Sequence, residues 1–244
     1  MERIEATSNK YNLFHTDIYV RRLCAKYHMN YKTSIRNFDN KDWVWPERDI
    51  VAWRYLTRED HYNLPINVSN LVKNRNIVVQ AGGHCGLYPN KYASLFKKVY
   101  TFEPHPENFY CLDQNIQQDN VVKNNLALGE KESMISLGEP LTKKKNNTGG
   151  YTVSGKGNIK LISLDSLDIE GCDLLHLDLE GFEWFALKGA VNLINKYRPL
   201  IVLETNDYCE MHGYTVVEME QWIVSELKYK IIDKWEHDTV YAPE

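Results

Sequence analysis

A short apolar run, Asn76-Ile-Val-Val-Gln-Ala81, leads directly into Gly82-Gly-His-Cys-Gly86. This junction constrains the fold more than any other stretch of the chain. A β-branched run of that length reads as a buried strand. Glycines placed immediately after it allow a tight turn and the close approach of a ligand. The alternation continues downstream. Pro89 to Phe96 reads as a helix, Val99 to Phe102 as a strand closed by Glu103 and Pro104, and Pro106 to Gln117 as a helix with proline in its first turn. Val121-Val122 opens a third strand. Asp173 to Leu177 is a strand ending at Asp178, Phe182 to Asn195 a helix, Leu200 to Leu203 a strand ending at Glu204, and Thr215 to Leu227 a helix. Lys230 to Ile232 and Thr239 to Tyr241 supply closing strands. Strands alternating with helices predict an α/β fold, with a mostly parallel sheet and right-handed crossovers that place helices on both faces.

The first 70 of the 244 residues differ from the rest. They are rich in Arg, Asn and aromatics, are punctuated by Pro46 and Pro65, and show little clean periodicity. Asp17 to Tyr27 reads as a short helix. The expectation is an N-terminal cap (1–70) on one main domain (71–244). Trp43, Trp45 and Trp53 read as core anchors of that cap, because aromatics dominate core burial; stacking on sugar rings or bases is the other use of such residues. Residues 131–160 read as short strands and turns around a polar loop that includes Lys143-Lys-Lys145. With 29 Lys and Arg against 33 Asp and Glu, the net charge of −4 argues against binding a polyanion through phosphate neutralisation. No apolar stretch reaches the length of a membrane span and the first residues lack a signal-peptide core, so a cytoplasmic location is expected. The 5 cysteines are scattered without a CxxC pair, which fits neither a disulfide framework nor a zinc cage. Cys24 and His28 stand one helical turn apart with no second pair beside them, so no metal is expected.

In open α/β sheets, ligands bind outside the carboxyl ends of the strands at the switch point. The residues there are Gln80 to Gly86, Glu103, Asn125, Asp178 to Glu183 and Glu204. Glu103 follows Gly82 by 21 positions, the spacing at which an acid holds a ribose hydroxyl pair. A dinucleotide site needs G-x-G-x-x-G, but counted from Gly82 its second and third glycines would be His84 and Leu87. The chain has Gly82-x-x-x-Gly86 instead, which favours a cofactor with ribose and no pyrophosphate; S-adenosylmethionine is the common one. The plainer reading is a tight ligand-free turn with a solvated Glu103. Further on, Asp178, Glu180 and Glu183 fall within 6 positions where a strand ends and a helix starts. Capping of the helix explains one of the three. The others suit proton acceptance, a cationic group or a metal.

Taken in order, Gln80-Ala-Gly-Gly-His-Cys-Gly86, Val99-Tyr-Thr-Phe-Glu103-Pro104, Ala127-Leu-Gly129, Ser163-Leu-Asp165, Leu177-Asp-Leu-Glu-Gly-Phe-Glu183, Leu187-Lys-Gly-Ala190 and Pro199-Leu-Ile-Val-Leu-Glu204 resemble the FkbM-type S-adenosylmethionine-dependent methyltransferases over roughly residues 76–235. The resemblance implies a Rossmann-like class I methyltransferase fold with seven strands, the last antiparallel. It also implies O-methylation of a hydroxyl on a sugar, glycan or other small molecule. By position, Gly82, Gly83 and Gly86 would shape the methionine pocket, Glu103 would hold the ribose, Asn125 would lie near the adenine, and Asp178 and Glu180 would face the methyl-transfer centre. Gln80 stands where the family usually has an acid that assists the cofactor ammonium; glutamine keeps an acceptor and loses the charge. Candidate bases for the acceptor hydroxyl are Asp178, Glu180 and His84, in that order. Against this reading stands a degenerate domain that only binds a partner, which Gln80 favours. An NAD-dependent oxidoreductase is opposed by His84 and the missing third glycine. A nucleic-acid methyltransferase would need a basic stripe with stacking aromatics, and the lysine run reads as a solvated loop.

Overall fold

The computed structural model describes residues 31–139 and 146–244. The helix expected at 17–27, the pair Cys24 and His28, and the lysines 143–145 lie outside them.

The described residues open with β1 (Thr33–Phe38) and β2 (Lys41–Pro46), an antiparallel hairpin. Its two-residue turn, Asp39-Asn40, has φ of 52° and 57°. Positive φ at both central residues matches the twist of the flanking strands, and Asp and Asn tolerate it. On β2, Trp43 and Trp45 share one side and are fully buried, as anchors should be, whereas Trp53 on α1 (Val51–Leu56) is only partly buried. Two further helices, α2 (Glu59–Tyr62) and α3 (Leu64–Leu71), complete this segment.

The main sheet then begins with β3 (Ile77–Ala81), α4 (Leu87–Leu95), β4 (Lys98–Phe102), α5 (Pro106–Asn115) and β5 (Val121–Asn124). A small sheet follows, made of β6 (Ala127–Leu128), β7 (Ser133–Gly138) and the 11-residue β8 (Thr152–Ile162), where short strands alone were expected. The alternation resumes with β9 (Leu174–Leu177), α6 (Glu183–Lys188), α7 (Val191–Tyr197), β10 (Leu200–Glu204) and α8 (Val216–Ser225). The hairpin β11 (Tyr229–Trp235) and β12 (Asp238–Pro243) closes the chain.

The 7-stranded sheet runs β11-β12-β10-β9-β3-β4-β5. The pairs from β10 to β5 are parallel, and β12, the last strand in sequence, is antiparallel to both neighbours. Side chains alternate strictly between two cores. Val79, Ala81, Tyr100, Leu175 and Ile201 pack with α6, α7 and α8, while Val78, Val99, Leu174 and Val202 pack with α3, α4 and α5. The period of two in each strand therefore distributes the helices to both faces.

Two local details position the site. The expected single helix 182–195 is two helices, broken at Gly189-Ala190. A Cβ on Gly189 would stand 2.0 Å from the Gly129 carbonyl oxygen, so only glycine lets that segment pass the strand end. Asn115 clips the N-terminal hairpin to the main domain. It accepts from Val44 N at 2.7 Å and donates to Val44 O and Cys85 O, each at 2.8 Å, thereby replacing a missing strand partner of β2.

Candidate cofactor and methyl-transfer crevice

The strand order reverses between β3 and β9, so their carboxyl ends diverge into a crevice. Gly82 begins it. Its φ is +84°, and a Cβ there would meet the Asp178 carbonyl oxygen at 2.0 Å, so the two strand ends lie closer than any side chain would permit. Glu103, Pro104, Asn108, Asp178, Glu180 and Phe182 line the crevice, together with the apolar wall of Phe102, Leu126, Leu128, Leu137 and Val153. Residues 148–151 of the turn before β8 form another wall, through Thr148, Gly149 and Tyr151.

Glu103 is 5% exposed. Its Oε1 accepts from His105 N and its Oε2 from His84 N, both at 2.8 Å. The Asn108 amide is a third donor to this carboxylate, which leaves it acceptor capacity for one more. Burial pushes its carboxyl up to about 7, and the two backbone donors and Asn108 oppose that rise.

One oxygen each of Asp178, Glu180 and Glu204 lie within 4.8 Å of one another. Burial pushes Asp178 up to about 6, with the Glu204 carboxyl donating a hydrogen bond that holds it from rising further. Glu180 and Glu204 are driven well above the usual carboxylate range by burial and by the neighbouring acids. Asp238 beside them rises to about 7 for the same reasons. Such a cluster shares protons rather than carrying full charge, and it favours a cation. Glu180 holds this place at φ +53°, in the left-handed region just before Gly181.

Residues 84–231 match the sequence profile of the methyltransferase FkbM domain. The chain belongs to this family. Among solved structures, the FkbM methyltransferase from Methylobacillus flagellatus is similar at 17% identity and a TM-score of 0.50, over 74% of this chain and 47% of that one. This FkbM chain thus spans about half the length of that protein. TYW2 of M. jannaschii, solved with AdoMet, is 13% identical with a TM-score of 0.49, over 88% of this chain and 89% of that one. Trm5b of Pyrococcus abyssi is 14% identical with a TM-score of 0.47, over 88% and 55%. No curated protein sequence matches. The fold is the Rossmann-like fold of class I methyltransferases, and S-adenosylmethionine is the cofactor of the family. The crevice of this FkbM domain fits that cofactor on its own chemistry. A buried carboxylate with spare acceptor capacity suits a ribose, the apolar wall suits a nucleobase, and the carboxylate cluster suits a cationic tail.

Of the site residues expected from the sequence, Gly82, Glu103, Asp178 and Glu180 come together here. Others go elsewhere. Gln80 is fully buried on the sheet face toward α4; its Oε1 accepts from Thr101 Oγ1 at 2.7 Å and its amide donates to Ala81 O. It does not line the crevice, so it belongs to the framework, because the strand's alternation turns it to the side opposite Ala81. Gly83 and Gly86 serve packing, their absent Cβ positions facing Leu112 at 2.7 Å and Ile116 at 3.0 Å. Asn125 donates to Glu103 O at 2.8 Å and shapes the loop, while the next residue, Leu126, reaches the crevice. His84 is turned toward Thr148 and Asp49 and is not in the lining. No side chain caps α6; Glu183, in its first turn, instead ties the preceding loop, accepting from Leu179 N at 2.6 Å and Gly181 N at 3.4 Å. The sequence reading missed Asn108, Thr148 and Tyr151. Asn108 shows no signal, but the Gly149-Gly150 turn just before β8 is one that placed this loop without revealing where it lands.

Proposed function

We propose that this FkbM domain transfers a methyl group from S-adenosylmethionine to a hydroxyl of a small-molecule or glycan acceptor. One observation carries the reading: Glu103, Asp178 and Glu180 line one crevice at the sheet's switch point, and Glu204 lies beside the last two. When bound, the cofactor supplies a methyl group on a sulfonium, an electrophile that needs no further activation. Glu103 orients the ribose through its remaining acceptor position. Gly82 leaves room at the strand junction, and Leu126 and its apolar neighbours hold the base. In-line alignment of the acceptor is the main demand on the protein.

An alcohol also benefits from a general base whose pKa lies near the operating pH. Asp178, raised to about 6, suits that role better than Glu180, whose carboxyl is driven well above the usual range by burial and by the neighbouring acids. Glu180 then serves to hold the acceptor by donating a hydrogen bond. Asp178 and Asp238, whose carboxyls sit at about 6 and about 7, add negative potential as they ionise, which disfavours phosphorylated acceptors and so supports a neutral or cationic one; nucleic acid fits poorly. The segment before β3 reads as a cap, and it shares the core of α4 and α5. The alternative of a silent binding domain draws on Gln80, and the burial of Gln80 in the framework removes most of its weight.

The test has two stages. Calorimetry with S-adenosylmethionine and S-adenosylhomocysteine should show binding of both. Radiolabelled methyl transfer to a panel of neutral glycans and polyols should then show turnover that Asp178→Asn abolishes while cofactor binding survives. Binding without turnover on any acceptor class would return the reading to the silent domain.

A further inference from the structure

The most connected buried polar group near the crevice comes from outside the region that matches the family. Asp49 is fully buried between β2 and α1. Its Oδ2 accepts from Trp45 Nε1 at 2.8 Å and from Thr148 Oγ1 at 3.0 Å, and its Oδ1 accepts from Ala52 N at 3.1 Å. His84 Nε2 lies 3.6 Å from Oδ2 and 2.9 Å from Thr148 Oγ1. A hydroxyl has one proton to give. Thr148 gives it to Asp49, so it accepts from His84 Nε2–H, which fixes the tautomer of that ring. The His84 backbone N–H, in turn, is one of the two donors on Glu103. One residue thus separates Asp49 from the carboxylate that faces the ribose.

The same contacts fasten the loop 146–151 across the crevice. Asn146 O accepts from Ile50 N at 3.0 Å and Val51 N at 3.1 Å. Asn108 donates to Thr148 O at 2.8 Å. Tyr151 stacks on His105 with centroids 4.2 Å apart and an interplanar angle of 5°, and its hydroxyl accepts from Arg48 at 2.8 Å. Among the described residues, these fastenings come from residues 48–51, from His84, and from His105 and Asn108 at the start of α5. Thr148, Gly149 and Tyr151 then face Gly82, Glu103 and Asp178 across the lining.

We propose that Asp49 is a positioning residue for the cofactor site: with Thr148 and His84 it latches the strap 146–151 over the crevice, and the latch sets how fast the cofactor leaves. This rests on the reading of the crevice as the S-adenosylmethionine site. It assigns the N-terminal segment a part in cofactor retention that the family match, beginning at residue 84, does not cover.

The test measures release of S-adenosylhomocysteine from the full chain by stopped-flow competition, followed by tryptophan fluorescence, beside a thermal melt of each variant. Thr148→Val keeps the shape and removes the hydroxyl from a site 1% exposed. Thr148→Ser keeps the hydroxyl. Thr148→Val and Asp49→Asn should release the ligand about tenfold faster, the scale of one lost buried hydrogen bond to a charged group, and Thr148→Ser should stay within about twofold of the parent. A hydroxyl that serves only stability would lower the melting temperature of Thr148→Val and leave its release rate alone. Equal release from the Val and Ser variants at the parent rate overturns the latch and leaves the cofactor site standing. Failure of the parent chain to bind S-adenosylhomocysteine overturns the cofactor site itself. The threonine pair decides the matter even where Asp49→Asn does not fold.

Discussion

Gly82 and Asp178 meet across the switch point, with the space for a Gly82 Cβ already filled by the Asp178 carbonyl oxygen, 2.0 Å away. The contact joins the end of β3 to the end of β9, where Asp178 N also donates to Ala81 O at 3.1 Å. The turn that opens the crevice and the acid proposed to act on the acceptor are therefore held by one backbone junction. Gly82→Ala should be costly twice over. The left-handed φ of +84° alone costs an L-residue about 1–2 kcal/mol, and the carbonyl clash comes on top of that. Gly155, at φ +58° with nothing within 4 Å of its Cβ position, bears only the first cost. Urea unfolding of the two alanine variants should separate them clearly, with Gly82→Ala the weaker protein. Equal losses would show that the junction opens without penalty.

The pH dependence of cofactor binding follows from the raised carboxyls. Asp178 rises to about 6, Glu103 to about 7 and Asp238 to about 7 in the folded protein. Such groups hold protons that the unfolded chain has already released, so the stability they contribute is complete below the unfolded carboxylate range and is lost as pH rises through about 6 to 7. His105 and His176, each lowered to about 4 by burial, act in the opposite direction and cost stability as pH falls from 6.5 toward that value. A cationic ligand favours the charged carboxylates. S-adenosylmethionine should therefore bind more tightly as pH rises across the same window and release protons on binding. Calorimetry near pH 6 in buffers of different ionisation heat reads this directly. Proton uptake, or none, would contradict it.

Glu103→Gln should weaken S-adenosylhomocysteine binding by roughly 10- to 100-fold, the scale of hydrogen bonds to a charged group. Its amide would also turn one N–H donor toward the His84 or His105 N–H, where an acceptor is needed. Calorimetry beside a thermal melt checks it. An unchanged affinity would remove Glu103 from the ribose site.

Thr215 caps α8 in a reciprocal box, accepting from Glu218 N at 3.2 Å while Glu218 accepts from Thr215 N at 2.8 Å. Thr215→Ala should cost about 1 kcal/mol and leave ligand binding at the parent value. Denaturant titration measures the first and calorimetry the second. This variant calibrates how far a purely structural loss reaches the crevice.

Much of this was legible before any coordinates. The β-branched run before Gly82, the acids closing Phe102, Leu177 and Leu203, and the helices between them report local physics, because periods of 2 and 3.6 residues are written along the chain itself. The hairpin β1–β2 was not read, although Asp39-Asn40 is a turn pair that tolerates positive φ; two tryptophans on alternate positions were read as anchors without their strand. The helix break at Gly189 was also missed, since its cause is the Gly129 carbonyl, 60 residues away in sequence.

The sequence by itself determined the sheet, the crevice's place at its switch point and the identity of Glu103, Asp178 and Glu180 as the acids there, since strand ends and turn glycines are local properties. Only the tertiary structure decided which way the neighbouring polar groups face. Gln80 enters the framework because its position in the pleat turns it toward α4. His84 leaves the crevice because buried Asp49 and Thr148, 35 and 64 residues away in sequence, offer its ring the partners that a buried imidazole needs.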